Sequence, residues 1–123
     1  MTGPFDHLEG YPKSEYIPEK STMDKLNDAL KDVRLVLFTG SWCPDCLVLI
    51  PRLGAVLEHI STQVIVEIHQ MERGQPLQSA ADMDVLAIPT IIVKRDGKEL
   101  GRIVEYPRTT LEDDLIEYAS NRK

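Results

Sequence analysis

The sequence has 123 residues, enough for one domain and too few for two of ordinary size. Its 14 Lys and Arg residues against 20 Asp and Glu give a net charge of −6, which argues against a basic face for nucleic acid or a polybasic segment for a membrane surface. No apolar run is long enough to span a bilayer, and residues 1–20 lack the basic and apolar stretches of a secretory signal. We therefore expect one monomeric, cytoplasmic domain without a nucleic-acid or membrane partner.

The chain begins with a stretch that has no hydrophobic period. Residues 1–18 contain three prolines and two tyrosines, and they are predicted to form an N-terminal arm ahead of a domain at 19–123. Apolar residues at helical spacing over 23–30 then predict a helix. The run 33–38 is almost continuously apolar, which is typical of a strand buried on both faces of a sheet.

A second helix is predicted over 44–60, where apolar residues again recur at helical spacing. Pro51 lies inside this helix, and we expect a kink there because proline lacks the N–H that the helix requires. A short helix or loop is expected over 75–83, between the second and third predicted strands. Runs rich in β-branched residues predict three further strands, at 64–68, 88–93 and 98–104.

The end of the chain is predicted to form a hairpin and a helix. Asp96-Gly97 is typical of a tight hairpin turn, and 94–98 is interpreted as a solvated hairpin tip. Residues 109–121 form an amphipathic pattern that predicts the closing helix. Strands that alternate with helices indicate parallel crossovers, and the hairpin adds an antiparallel pair, so an α/β fold with a mixed sheet is expected.

The two cysteines lie only three positions apart, at Cys43 and Cys46. A disulfide this close would constrain little of the chain, so the pair indicates chemistry rather than scaffolding. Disulfide exchange needs a thiolate that attacks and a second thiol that resolves the mixed disulfide. At a helix start, free N–H groups favour a thiolate on Cys43, and Pro44 suits the first helical position. Asp45 opposes that thiolate through its charge.

Two other interpretations of the cysteine pair remain. One is half of a zinc site completed by His59 or His69, but structural zinc takes four protein ligands and the candidates are few and scattered. The other is a pair of inert structural cysteines, which Trp42 beside Cys43 and the switch from strand to helix make less attractive. We therefore expect no metal.

The stretch 38–46, Phe-Thr-Gly-Ser-Trp-Cys-Pro-Asp-Cys, resembles the active-site segment of thioredoxins. The resemblance extends over roughly 21–121, and Pro51 matches the family's proline five positions after the second cysteine. It implies a thioredoxin-like fold for the domain at 19–123, with a central mixed sheet of four to five strands flanked by helices. Trp42, Pro44 and Asp45 would then support the two catalytic cysteines.

A second motif strengthens this resemblance. Ile88-Pro89-Thr90 matches the family's Ile-Pro-Thr, whose proline is cis and lies against the active-site sulfurs, and Gly97 falls at the family's hairpin glycine. The resemblance implies that Ile88 and Thr90 line a groove in which an extended peptide binds by main-chain hydrogen bonds. Glu105 stands where thioredoxins have a glycine in this groove. With Asp45, it predicts a groove that disfavours acidic targets.

The sequence also departs from the family at a buried ionic pair. Leu37 stands where thioredoxins carry an aspartate that takes a proton from the resolving cysteine, and the accompanying lysine is aligned with Ile65. Loss of both partners is electrostatically consistent, because a buried charge without its partner is costly. The base for Cys46 is therefore open, either a water or one of the carboxylates Asp45, Glu67 and Glu105.

The resemblance implies a protein-disulfide oxidoreductase of the reductase type. Cys43 would attack a disulfide in a protein substrate, Cys46 would resolve the adduct, and a thioredoxin-reductase-type donor would restore the dithiol. No cofactor is expected, because the electrons reside on the two sulfurs. One alternative is a glutaredoxin-like, glutathione-dependent enzyme, although the chain lacks that family's Thr-Val-Pro and Gly-Gly. Another is a non-catalytic module that binds partners through the Pro89 groove.

Overall fold

The computed structural model describes residues 10–72 and 85–120. Within them, three helices and four strands follow one another with bounds close to those predicted. The 75–83 segment lies outside the described residues. None of the described helices is long and apolar enough to cross a membrane. In chain order the elements are α1 (Lys20–Ala29), β1 (Arg34–Thr39), α2 (Pro44–His59), β2 (Ile65–Gln70), β3 (Thr90–Arg95), β4 (Lys98–Val104) and α3 (Leu111–Ala119).

The four strands form one mixed sheet in the order β2-β1-β3-β4. Strands β1 and β2 are parallel, as a helical crossover requires, and β3 and β4 form the predicted antiparallel hairpin. The expected parallel crossover between β2 and β3 is wrong, because β3 runs antiparallel to β1. A long connection between two strands can return the chain in either direction, so element spacing alone does not fix strand direction.

Strand β1 is central and is buried on both faces, as predicted. Leu35 and Leu37 pack into the core formed with the helices, while Val36 and Phe38 pack on the other face with Met71 and other apolar residues. This alternation follows from the two-residue period of a strand. Because β1 leads directly into α2, the rigid centre of the sheet positions the helix that carries both cysteines.

The described part of the N-terminal arm packs back onto the domain. The Tyr16 hydroxyl donates to Glu112 Oε2 at 2.8 Å, and the Arg52 guanidinium lies over the Tyr16 ring at 3.9 Å. Arg52 also donates two hydrogen bonds to the buried Glu112 carboxylate, at 3.2 and 3.0 Å. A paired, hydrogen-bonded charge is the form in which a buried carboxylate is tolerated. This cluster fixes the arm to α2 and α3.

Arg95 corrects the interpretation of 94–98 as a purely solvated tip. Its guanidinium donates to the carbonyl oxygens of Ala119 at 2.8 Å and of Ala29 at 2.9 Å, and it also reaches the Lys31 carbonyl at 3.2 and 3.3 Å. The last carbonyls of a helix lack partners within the helix and carry partial negative charge. One planar cation therefore satisfies the ends of both α1 and α3.

We predict that Arg95→Ala lowers the free energy of unfolding by about 2 kcal/mol, because several hydrogen bonds from a charged donor are lost. Arg95→Lys is expected to recover little, since an ammonium group cannot reproduce the fork of the guanidinium. Urea unfolding followed by circular dichroism measures both changes.

The matched control for Arg95 is Lys98→Ala, which removes an exposed cation from the strand residue opposite Arg95. We expect its free energy of unfolding to stay within about 0.5 kcal/mol of the parent value. Equal unfolding midpoints for Arg95→Ala and Lys98→Ala would contradict the role of Arg95 at the helix ends.

Candidate active site

Cys43 is the N-cap residue of α2, where the chain passes from the sheet into the helix. Its Sγ accepts a hydrogen bond from the Cys46 backbone N–H at 3.3 Å, and Pro44 occupies the first helical position. The first N–H groups of a helix have no partners within the helix and favour negative charge nearby. The geometry therefore provides a site in which a thiolate on Cys43 is stabilised by the backbone of its own helix.

Cys46 lies one turn further along α2 and is completely buried. Burial, the main cause, and a hydrogen bond with the Cys43 thiol raise the pKa of its thiol to about 12. Hydrogen bonds from the Thr39 side chain and the Gly40 backbone act in the opposite direction. Both cysteines are free thiols. At neutral pH, Cys46 therefore holds its proton, and any reaction at its sulfur must first remove it.

Trp42 covers the loop that leads into the helix. Its Nε1–H donates to the Met71 carbonyl at 2.8 Å, while about 41% of the residue is exposed. The indole lies so close to Gly40 that a Cβ there would meet Trp42 Nε1 at 2.6 Å. A side chain at position 40 would therefore displace the indole from the entrance to the cysteine pair.

The Ile88–Pro89 peptide bond is cis, as the resemblance implies. The loop before β3 lies against Cys43, with the Ile88 carbonyl oxygen 3.9 Å from Cys43 Sγ. Pro89 is buried and Ile88 is partly exposed. Thr90 is fully buried, and its hydroxyl donates to the Ala87 carbonyl at 2.7 Å, so its side chain holds the loop rather than facing solvent.

Glu105 lies directly beside this loop. Its backbone N–H donates to the Pro89 carbonyl at 2.7 Å, and its φ is +66°. The Tyr106 N–H donates to the Val104 carbonyl at 2.7 Å, which closes a three-residue turn around Glu105. This left-handed region favours glycine, so the glutamate is held in a strained backbone conformation.

Two of the carboxylates considered as a base for Cys46 are accounted for elsewhere. Asp45 is exposed in the first turn of α2. Glu67 lies 2.6 Å from His69 Nε2 and 3.6 Å from Arg34, and the hydrogen bond with His69 is the main cause that lowers the pKa of Glu67. Across residues 10–72 and 85–120, His, Cys, Asp and Glu form no group of three or more that could hold a metal.

Leu37 is buried in the core between the sheet and the helices, as its alignment with the family's buried aspartate suggested. The residue beside it on β2 is Ile68, whereas Ile65 pairs with Arg34 at the far end of the strand and is exposed. Ile65 is therefore not the neighbour of Leu37 that the alignment with the family's lysine implied; Ile68 occupies that place. The layer around Leu37 is apolar at both positions, so it contains no ionic pair.

Tyr11 is the residue that the sequence analysis did not assign to the site. Its hydroxyl shares a hydrogen bond of 2.8 Å with Thr39 Oγ1, and Thr39 is fully buried at the end of β1. Burial is the main cause that raises the pKa of Tyr11, and the negative forms of both cysteines contribute to the shift. The arm has no period from which this contact across 28 positions could have been inferred.

Residues 11–119 match the family model described as thioredoxin. The chain is 30% identical to a thioredoxin of Mycoplasmopsis pulmonis over 92 residues, which is 71% of this chain and 84% of that protein. It is 27% identical to thioredoxin H-type 1 of Nicotiana tabacum, over 73% of this chain and 69% of that protein. The solved structure of Fasciola hepatica thioredoxin aligns with a TM-score of 0.52 and 27% identity, over 81% of this chain and 89% of the other. The protein therefore belongs to the thioredoxin family, and family and fold together support a redox oxidoreductase that works through thiols and disulfides.

Proposed function

We propose that this protein is a disulfide reductase that acts on disulfide-containing proteins through Cys43 and Cys46. Cys43 attacks one sulfur of the target disulfide and releases the other target sulfur as a thiolate. Cys46 then attacks Cys43 Sγ, which frees the second target sulfur and leaves a Cys43–Cys46 disulfide. The observation that carries the proposal is the position of Cys43 Sγ at the N-cap of α2, 3.3 Å from the Cys46 nitrogen.

The order of attack follows from the different surroundings of the two thiols. Cys43 lies at the N-terminal end of α2 beside the loop at Ile88 and is 6% exposed, whereas Cys46 is completely buried. A target sulfur can therefore approach Cys43 and not Cys46. The Cys46 backbone N–H stabilises the charge on the attacking sulfur, as oriented donors do for developing anions.

The loop around Pro89 is proposed to hold the target as an added strand. The Ile88 backbone faces Cys43, and main-chain hydrogen bonds to an extended peptide would set the target disulfide in line with it. Large apolar side chains are exposed on the segments that flank this loop and the cysteines. These side chains, Trp42, Leu86 and Tyr106, offer contacts for apolar residues of the target.

The reducing direction is supported by Asp45, which is exposed in the first turn beside Cys43. Its carboxylate adds negative charge beside the cysteine pair, and a pair whose reduced form is less stabilised is more reducing. A reducing pair needs an electron donor that converts its disulfide back to the dithiol, and thiols are kept reduced in the cytosol. The proposal therefore includes a thioredoxin-reductase-type donor and a cytoplasmic location. No bound cofactor is needed, and the chain is proposed to act as a monomer.

We predict that Cys46→Ser forms a stable mixed disulfide with a peptide that contains one disulfide, because the resolving thiol is gone. Intact mass spectrometry without reductant should give an adduct of one peptide per chain. The parent protein should give the reduced peptide and its own internal disulfide instead.

Cys43→Ser is the matched control, since it removes the other thiol with the same substitution. It should form little adduct, because the remaining sulfur is buried. An adduct that forms mainly on Cys43→Ser would reverse the proposed roles. A parent protein that reduces no disulfide with dithiothreitol would leave only a binding module.

Glu105 provides a test of target preference. We predict that Glu105→Gly raises the free energy of unfolding by about 1 kcal/mol, because glycine adopts the left-handed backbone conformation without strain. The greater flexibility of glycine in the unfolded chain offsets part of this gain. It should also increase the rate with a peptide whose disulfide is flanked by acidic residues, by about two- to threefold. Urea unfolding and a fluorogenic disulfide peptide measure the two effects.

Glu105→Gln separates charge from backbone conformation, since glutamine removes the charge and keeps the side chain. It should raise the rate with the acidic peptide without raising stability, and the rate with a basic-flanked peptide should not rise. If neither variant changes the ratio of the two rates, Glu105 does not select targets.

A further inference from the structure

The loop that leads into Cys43, residues 39–42, is called the entry loop below, and it is held from two sides. On the side of β2, the Met71 N–H donates to the Thr39 carbonyl at 2.7 Å. Within the loop, the Cys43 N–H donates to the Gly40 carbonyl at 3.1 Å. These two bonds close the turn before α2, and they therefore fix the place at which the helix and its N-cap begin.

The N-terminal arm holds the other side of the entry loop. The Tyr11 hydroxyl shares a hydrogen bond of 2.8 Å with Thr39 Oγ1, which is buried at the end of β1. Gly10 lies against Ser41, since a Cβ on Gly10 would be 2.9 Å from the Ser41 Cβ and 3.4 Å from its Oγ. The φ of Gly10 is +85°, which glycine adopts without strain. Two consecutive arm residues therefore contact the loop on either side of Gly40.

The arm is anchored separately to two helices. The Tyr16 hydroxyl donates to Glu112 Oε2 at 2.8 Å, and the Arg52 guanidinium lies over the Tyr16 ring at 3.9 Å. Arg52 lies on α2 and Glu112 on α3, so this anchor belongs to the helices and not to the entry loop. The arm thus joins the helices to the loop, and its contact at Tyr11 restricts where the loop can lie.

We propose that Gly10 and Tyr11 are positioning residues, which hold the entry loop so that the Cys43 sulfur is aligned with a target strand bound at Ile88. The proposal rests on the proposed function, because alignment matters only when a target is held. Cys43 Sγ lies 3.9 Å from the Ile88 carbonyl oxygen, so a shift of the loop changes how this sulfur meets a strand paired with the Ile88 backbone. Reactions between bound groups are sensitive to displacements of about 1 Å.

The experiment compares a target that must be aligned with a reagent that need not be. The fluorogenic disulfide peptide has a main chain that can pair with the loop at Ile88, whereas dithiobis(nitrobenzoic acid) has none. For Tyr11→Phe, we expect kcat/KM with the peptide to fall about fivefold, because one hydrogen bond that holds the loop is lost. Release of the first thionitrobenzoate, which reports attack by Cys43, should stay at the parent rate. A general loss of folded protein would lower both rates.

Variants of Thr39 test whether this effect comes from the shared hydrogen bond. Thr39→Val removes the other half of the bond and should cause the same fall with the peptide. Tyr11→Phe combined with Thr39→Val should fall no further than either single variant, because all three lack the same bond. Thr39→Ser keeps the hydroxyl and should recover the parent rate. Independent losses that multiply in the double variant would contradict the shared bond.

Gly10→Ala tests the second contact between the arm and the entry loop. Its new Cβ is directed at Ser41, so the peptide rate should fall while the first release of thionitrobenzoate stays unchanged. Gly10→Ala combined with Ser41→Gly removes the opposing side chain, and its peptide rate should match that of Ser41→Gly alone. If the added alanine lowers the rate equally with and without the Ser41 side chain, the contact with the loop is not the cause.

Tyr16→Phe is the matched control for Tyr11→Phe. It removes the same atom from the same arm, at the contact with Glu112, and it leaves the ring that lies under the Arg52 guanidinium. Its rates with the peptide and with dithiobis(nitrobenzoic acid) should both match the parent. An equal fall in Tyr16→Phe and Tyr11→Phe would contradict a specific role for the contact with Thr39.

Amide hydrogen exchange, followed by NMR, tests the position of the entry loop without any measurement of activity. The Cys43 and Met71 amides make the two bonds that close the loop, and in Tyr11→Phe they should exchange about fivefold faster than in the parent. Unchanged exchange of both amides would overturn the proposal, and so would equal changes in the peptide and thionitrobenzoate rates. A parent protein that reduces no disulfide, with the difference in exchange intact, would overturn the proposed function alone.

Discussion

The junction between β1 and α2 is the constraint on which the candidate active site depends. The strand is buried on both faces, so its end is fixed, and the helix begins after the short loop 40–42, with Cys43 as its N-cap. The Cys46 backbone N–H in that first turn donates to the Cys43 sulfur, and the same turn carries Cys46 into the core. A single change of secondary structure thus gives two identical side chains different surroundings, with Cys43 at the helix end and Cys46 in the core.

The burial that protects Cys46 also creates the main chemical difficulty of the site. An apolar environment raises the pKa of the thiol to about 12, and the neighbouring layer of Leu37 and Ile68 adds no charge to assist deprotonation. A buried carboxylate would need its own compensating partner, whereas a hydroxyl is neutral and far less costly to bury. Thr39, two residues beyond Leu37 on β1, carries such a hydroxyl, which shares a hydrogen bond of 2.8 Å with Tyr11.

The sequence predicted those parts of the fold that depend on local pattern. Helix α2, strand β1 and the Asp96-Gly97 hairpin follow from periodicity and turn chemistry, and the cis bond before Pro89 followed from the resemblance. The direction of β3 and the contacts of Arg95 could not be predicted, because both depend on how distant segments meet. The same reason explains Tyr11, since a hydroxyl bond across 28 positions leaves no local pattern.

The arm and Glu105 approach the cysteine pair from different parts of the chain, and both require unusual backbone. Gly10 adopts positive φ at no steric cost, while Glu105 adopts it with a side chain that disfavours it. Relaxing Glu105 would shift the N–H that holds the Pro89 carbonyl at 2.7 Å, so the strained turn and the Pro89 loop are coupled. Strain that persists beside a binding loop is maintained by the packing around it. We infer that the position of the Pro89 loop is set by β4 as much as by β3, and that target selection depends on both.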